Sequence, residues 1–466
     1  MLRCNNLLEN PSFELNLTGW ESNNVFILGH AQSSEPFEGT SNARMDSGVA
    51  ILSQDVLLEG TCASPLLVSF QIYSGTGAVG DLIIEVLWLN SMGSIIATGL
   101  RTLIPSERTS NSKNRLTFVE ITDLPPDNAV MARLQFTRGS LPINLDNILD
   151  IDQIILTPIS SINLVTNSGF ELGKQFWTGT NANESFTSNY EGTGNILLNA
   201  INGTLVQNIP INSFARGSSF LLSFAVFSTN ANSTLKVEVT WLDKNGNPIS
   251  TGLDLSINSQ AIVLAHNYVT YVDVTTPVPK NANTAQIKFT ATGISGNFNI
   301  DKVIFSKVTS TNLLVNPSFE NSNSPSPWIA SGGTTVEQYQ DPDSYEGARL
   351  VNLPEIAGYI YQDVSIIPER CYLFSFGYRT FGANSAGNLL VQVKWLDRTG
   401  REIGLGLSII IGSGTAIDVL KWLTYLGITE PAPENAAMAR VQFSKSFSDQ
   451  DNATIEIDKV VLASLV

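Results

Sequence analysis

The sequence is short of charge, histidine and cysteine, and each shortage removes a class of function. Asp, Glu, Lys and Arg together make up only 15% of the chain, against about 25% in ordinary soluble domains. Lys and Arg number 26 and Asp and Glu 42, for a net charge of −16. No basic run interrupts this acidity, so nucleic acid is not an expected partner, because phosphate binding needs clustered cations. Only two histidines are present, His30 and His266, far from any nucleophile motif. Histidine-based catalysis and histidine metal clusters are therefore not expected, and neither a Gly-x-Ser-x-Gly motif nor a P-loop occurs. The most apolar stretch, Leu407 to Ile428, contains Asp418, Lys421 and several glycines, so no membrane span is expected. No signal peptide is visible at the start of the sequence. The cysteines, Cys4, Cys62 and Cys371, are odd in number. One reading leaves all three reduced or buried. The other puts Cys4 at an exposed N-terminus, where it forms an intermolecular disulfide with a neighbouring chain.

What the sequence does contain is one pattern three times. Asn6-Leu-Leu-Glu-Asn-Pro-Ser-Phe-Glu14 returns as Asn163-Leu-Val-Thr-Asn-Ser-Gly-Phe-Glu171 and as Asn312-Leu-Leu-Val-Asn-Pro-Ser-Phe-Glu320. A tryptophan follows each time, at Trp20, Trp177 and Trp328. Then come an aromatic-Glu-Gly step (Phe37-Glu-Gly39, Tyr190-Glu-Gly192, Tyr345-Glu-Gly347) and a glutamine step (Gln54, Gln207, Gln362). Next are a Ser-Phe pair at Phe70, Phe224 and Phe376, a Trp-Leu pair at Trp88, Trp241 and Trp395, and a closing Ile-Asp at Asp152, Asp301 and Asp458. Landmarks this numerous in one order mark an internal repeat, with units at residues 1–160, 161–309 and 310–466.

Within each unit the hydrophobic period is two. Leu235, Val237, Val239 and Trp241 share one face of a strand while Lys236, Glu238 and Thr240 share the other. Asp243-Lys-Asn-Gly-Asn247 supplies the left-handed turn residues of a tight hairpin. About 8 to 10 short strands per unit and no long amphipathic helix predict an all-β chain of three tandem antiparallel jelly-roll β-sandwich domains. With short linkers, these form either a stiff rod or a compact, trimer-like block.

The landmarks resemble the jelly-roll carbohydrate-binding modules of the family 4/9/22 type. More closely, they resemble the domain called NTTRR-F1, found at the N-termini of collagen-like surface proteins of spore-forming Firmicutes. The resemblance implies the sandwich fold, an extracytoplasmic surface location that includes the spore surface, and a structural calcium ion. Unlike those surface proteins, this chain carries no Gly-x-y tract and has the domain in triplicate.

Two constellations are candidates for chemistry. Glu14 with Asp152, Glu171 with Asp301 and Glu320 with Asp458 open and close each unit, and the first and last strands of a jelly roll are neighbours. Such a carboxylate pair, with turn carbonyls, suits Ca²⁺; Glu38, Glu191 and Glu346 are weaker candidates. Reuse of the pairs in all units points to structure rather than a glycosidase acid/base pair, so no enzyme is expected. The second constellation is the side of the Ser-Phe strand facing away from Phe70, Phe224 and Phe376. There Tyr73, Phe227 and Arg379 are expected ligand-binding residues, although their divergence suits contacts with different neighbours better than one shared sugar. Unit three carries the most aromatics, Tyr339, Tyr345, Tyr359, Tyr361, Tyr378 and Phe381, and is the best placed to bind a cell-surface glycan. The function expected is a non-enzymatic structural or adhesive surface protein that self-assembles as a homo-oligomer or filament by strand addition. The alternative is a tandem carbohydrate-binding array gaining avidity from three sites.

Overall fold

A computed structural model describes residues 4–29, 36–59, 63–74, 77–109, 115–142, 146–211, 215–230, 232–265, 267–321, 325–330, 337–340, 343–353, 357–382, 386–412, 421–446 and 453–466. The strands form six sheets, two per repeat, and every pairing between strands is antiparallel. In unit one the outer sheet runs Glu21–Asn23, Ala50–Leu57, Met131–Arg138, Leu82–Leu89, Ile95–Ile104, and the inner sheet Val25–Gly29, Ser41–Met45, Leu149–Pro158, Leu66–Tyr73, Leu116–Ile121. Units two and three repeat this order, with a four-stranded outer sheet in unit two. Helix is confined, among the described residues, to Ser106–Thr109 and Ser259–Ala265.

The two sheets of a unit differ in burial, and the sequence pattern says why. In the outer sheet, Met131–Arg138 alternates buried and half-buried positions, as a sheet wetted on one side does. Trp88, Trp241 and Trp395 fill the core behind it. Each indole lies against a glycine on the next strand, Gly99, Gly252 or Gly406, where an added Cβ would come within 2.5–2.8 Å of the ring. In the inner sheet, Leu116–Ile121 and Leu149–Pro158 are buried at every position. Both faces of the inner sheet are therefore covered, one by its own sandwich and one by the other two units.

The repeated N-terminal motif ties each unit to its last strand. Asn6 donates to the Ile154 carbonyl and accepts from the Leu156 amide; Asn163 and Asn312 do the same with Val303 and Phe305, and with Val460 and Leu462. Gln54, Gln207 and Gln362 exchange two hydrogen bonds with the backbone of Glu9, Thr166 and Val315. The Trp20, Trp177 and Trp328 indoles donate to the carbonyls of Asn10, Asn167 and Asn316.

The units close into a ring. Tyr190 of unit two stacks on Phe118 of unit one with centroids 4.3 Å apart, Tyr345 of unit three on Tyr271 of unit two at 4.4 Å, and Phe37 of unit one packs on Tyr425 of unit three at 4.1 Å. Beside each aromatic, a glycine amide crosses the same seam: Gly192 to the Leu103 carbonyl, Gly347 to Ser256 and Gly39 to Ile410, at 2.7–2.8 Å. On the axis, Thr270 Oγ1 donates to the Thr117 carbonyl, Thr424 Oγ1 to Thr270 and Thr117 Oγ1 to Thr424, each at 2.6 Å. This cycle of three buried threonines satisfies polar groups that would otherwise be costly at the centre. An apolar plug with Val119, Val272 and Leu426 at equivalent positions continues the axis. The compact block, not the rod, is the arrangement adopted.

Cys4 departs from the expectation of an exposed, intermolecular thiol. It is buried and forms a disulfide with Cys371, tying unit one to unit three within the chain. Cys62, His30 and His266 lie outside the described residues.

Candidate binding faces and the three seams

The carboxylate pairs expected to hold calcium come to one place in each unit, the aromatic-Glu-Gly turn. Asp152 accepts from the amides of Phe37 and Glu38 at 2.7 and 3.1 Å, and Glu14 from the Thr40 and Ser41 amides and the Thr40 hydroxyl at 2.7–2.9 Å. Asp301 and Glu171 grip Tyr190-Glu-Gly192 in the same way, and Asp458 and Glu320 grip Tyr345-Glu-Gly347. The turn is thus clamped from both sides, and the clamp aims the aromatic ring into the neighbouring unit. Each of the six carboxylates accepts from at least two N–H or O–H donors. Among the described residues no group of three or more His, Cys, Asp or Glu side chains is placed to hold a metal ion. Burial above all, and next the facing glutamate of the turn, raise Asp152, Asp301 and Asp458 well above the usual carboxylate range, against the pull of the amide donors.

Tyr73, Phe227 and Arg379 lie on the side of the inner sheet turned to the other units, and they do not form an open ligand row. Arg379 contradicts that expectation most plainly. It is fully buried, paired with Glu456, donates to the Asp343 carbonyl, and lies 4.7 Å above the Trp422 ring. Tyr73 is half-buried under the Arg115 guanidinium at 5.2 Å, and Phe227 packs on Tyr268 at 5.7 Å. These side chains differ between units because each meets a different neighbour.

Charged residues cross two of the seams. Each last strand carries a bulge just after its aspartate, and the bulged residues Gln153, Lys302 and Lys459 have φ of 48°, 45° and 49°. The bulge turns the side chain towards the adjacent unit. Lys302 Nζ meets Glu120 of unit one at 2.5 Å and Glu191 of its own turn at 2.9 Å. Lys459 meets Asp273 of unit two at 2.6 Å and Glu346 at 3.7 Å. Burial alone would lower both lysines, but the carboxylates overcome it and hold both ammonium groups above their ordinary range. Glu120 is raised well above the usual range by burial and by Glu191. The third seam breaks the rule: Gln153 replaces the lysine and Gly427 the acid. Gln153 accepts from Gln71 of its own unit at 2.7 Å instead. The visible signal was an acid and a lysine at matching repeat positions in two units only.

The outer sheets present their wetted faces to solvent. In units one and two the row opposite the core carries the half-buried Ile51 and the buried Ser53, or the half-buried Thr204 and Val206. Unit three has Tyr359 and Tyr361 there. Their rings lie 6.2 Å apart and tilted, with Tyr359 exposed. Arg440 sits 4.1 Å over Tyr361, fixed by a two-pronged bridge to Asp363 at 2.7 and 2.8 Å. Gln442 lies opposite Tyr361 and Gln392 opposite Gln442, so two amides continue the aromatic row across the sheet. An apolar ring face beside amide donors and acceptors is suited to a sugar ring, which has apolar and hydroxylated sides.

No protein-family model matches the sequence, and no curated protein matches it. Among solved structures, the tandem CBM22-1–CBM22-2 domain of Paenibacillus barcinonensis Xyn10C is similar over 65% of this chain and 97% of that one, at 13% identity and a TM-score of 0.28. TmCBM61, solved with β-1,4-galactotriose, is similar over 33% of this chain and 98% of its own, at 17% identity and a TM-score of 0.25. The enzymatically active domain of bacteriophage CBA120 tailspike protein 4 is similar over 33% of this chain and 23% of its own, at 24% identity and a TM-score of 0.26.

Proposed function

We propose that the chain is a non-catalytic carbohydrate-binding protein whose three sandwiches are locked into one block. Its third unit lays a polysaccharide chain on the outer sheet across Tyr359 and Tyr361. The observation that carries this reading is the tyrosine pair, exposed at Tyr359 and half-buried at Tyr361, with its Arg440 and glutamine neighbours, at positions where units one and two have no ring. The reading therefore gives one platform per chain rather than an avidity array of three. The buried Cys4–Cys371 bond supports an oxidising, extracytoplasmic setting.

The test is retention on a panel of insoluble neutral polysaccharides, compared between the native protein, the double variant Tyr359→Ala/Tyr361→Ala, and Ser53→Ala as a control. Loss of two stacking rings, each worth about 1 kcal/mol beyond burial, weakens binding about thirtyfold, with one site per chain. Retention unaffected by the double variant, or absent across the panel, overturns the proposal.

A further inference from the structure

We propose that the seam between units three and one is a binding site for a primary alkylammonium group, with Glu38 as its counter-ion. The third seam breaks the repetition of the other two. In the other two seams the glutamate of the aromatic-Glu-Gly turn faces a lysine ammonium, Glu191 with Lys302 and Glu346 with Lys459. Glu38 stands at the same position with the same backbone clamp, Asp152 accepting from its amide. Among the described residues no lysine or arginine pairs with it, and its side-chain partner is the Ser12 hydroxyl.

The missing lysine leaves space. A cavity of about 330 Å³ lies where the ion pair would be, bounded by Glu38, Gln153 and Gly427. Leu407, Leu426 and Ile428 give it apolar walls, and the exposed Glu430 stands at its rim. Among the described residues, two carboxylates and no cation line it. An ammonium at Glu38 would meet one turn carboxylate where Lys302 and Lys459 each meet two carboxylates, and its aliphatic stem would face the wall of Leu407, Leu426 and Ile428. The Gln153 side chain is held back by Gln71, which keeps it from filling the cavity. The carboxylate favours the cation, the apolar wall favours a stem of several carbons, and a primary ammonium can donate hydrogen bonds to Glu38 that a quaternary one lacks.

The test uses the intact, disulfide-bonded protein and isothermal titration at constant ionic strength. n-Butylammonium stands for a free amine and Nα-acetyl-lysine N-methylamide for a protein lysine side chain, with tetramethylammonium and n-butanol as controls. Saturable binding of either primary amine, at one site per chain and without binding of the controls, supports the proposal; the tighter of the two identifies the source. Gln153→Lys supplies the ammonium from the chain itself on the same bulge, so this variant should melt higher and bind the amine at least tenfold more weakly. Glu38→Gln should weaken binding by a similar factor. No saturable binding by the native protein, or binding that both variants leave unchanged, overturns it. This outcome is independent of the polysaccharide test, which reads a different face.

Discussion

Replacing Lys302 by Gln copies into the first seam the residue that Gln153 places in the third, and it exposes what the ion pair does. In the native protein one ammonium lies between Glu120 and Glu191, at 2.5 and 2.9 Å. The Glu120 side chain is 1% exposed. Removing the cation leaves two largely buried carboxylates facing each other. Breaking a buried pair from one side costs about 3–5 kcal/mol, because the remaining charge has neither water nor partner. If the block unfolds as one unit, about 2.1 cal/mol/K per residue over 466 residues gives an unfolding entropy near 1 kcal/mol/K, and the melting temperature falls by about 3–5 °C. If one sandwich of about 150 residues unfolds alone, the same energy spreads over a third of the entropy and the fall is about 10–15 °C. The pH dependence separates electrostatics from lost packing. Without the lysine, the buried Glu120 titrates higher in the folded state than in the unfolded chain. The folded variant then binds more protons, and its stability falls as pH rises through that interval. The deficit relative to the native protein should be large at pH 8 and small at pH 5, read by tryptophan fluorescence during thermal unfolding. The double variant Glu120→Gln/Lys302→Gln should recover most of the loss at pH 8. A cost equal at both pH values, or below about 1 kcal/mol, refutes the reasoning.

Two further outcomes follow from the turn and its carboxylates. Burial is the chief cause that raises Glu38 to about 7, Glu14 adding to it and the Ser12 hydrogen bond opposing it. An acid raised in the folded state stabilises below its unfolded value near 4.5 and loses that contribution as pH rises to about 7, so Glu38→Gln should be the more stable protein at pH 8. At 1.36 kcal/mol per unit the ceiling is about 3 kcal/mol, and solvent contact of the half-buried side chain brings the expected gain to about 1–2 kcal/mol; equal pH profiles for the two proteins in calorimetry count against it. Because Glu14, Asp152 and their counterparts hold N–H donors, EDTA should leave the melting temperature unchanged, and a fall of several degrees would point to a cation at the turn.

The sheets were legible because a period of two is written openly in strands such as Leu235–Leu242, and because three copies of each landmark reinforce one another. The N-terminal Asn and the strand Gln were visible as repeats, but their hydrogen bonds to a distant backbone leave no local signature. The ring of units was harder to see. Its mark was the absence of alternation in Leu116–Ile121, Val269–Val274 and Leu423–Ile428, where both faces are largely apolar and both are buried. Tyr73, Phe227 and Arg379 were correctly placed on the face turned away from the sandwich core. The burial of Arg379 was not legible, because sequence alone does not say whether that face meets water or another unit. The same limit applied to Cys4, whose partner is 367 residues away and next to it only once the ring has closed.

Fusion into one chain explains why the third seam differs. A trimer of separate copies would have three equal seams, whereas here each seam is encoded separately. The first two also have a short peptide linker, which keeps the adjoining units at high effective concentration. The seam between units three and one has no linker, lacks the lysine bridge and contains the cavity. It is also the seam joined by Cys4–Cys371, so the disulfide takes over the linker's task. Closing so long a loop removes unfolded-chain entropy worth about 2–4 kcal/mol in practice. Cys4→Ser should therefore lower stability by about that amount while the protein stays folded, and the loss should be local. The amides of Gly39, Gly192 and Gly347 make equivalent bonds across the three seams, to Ile410, Leu103 and Ser256. Hydrogen exchange in Cys4→Ser should accelerate at Gly39 by tenfold or more and leave Gly192 and Gly347 near their native rates. Equal acceleration at all three would mean that the ring opens only as a whole, and no acceleration would mean that the threonine cycle and the Phe37–Tyr425 contact hold the third seam without the covalent bond.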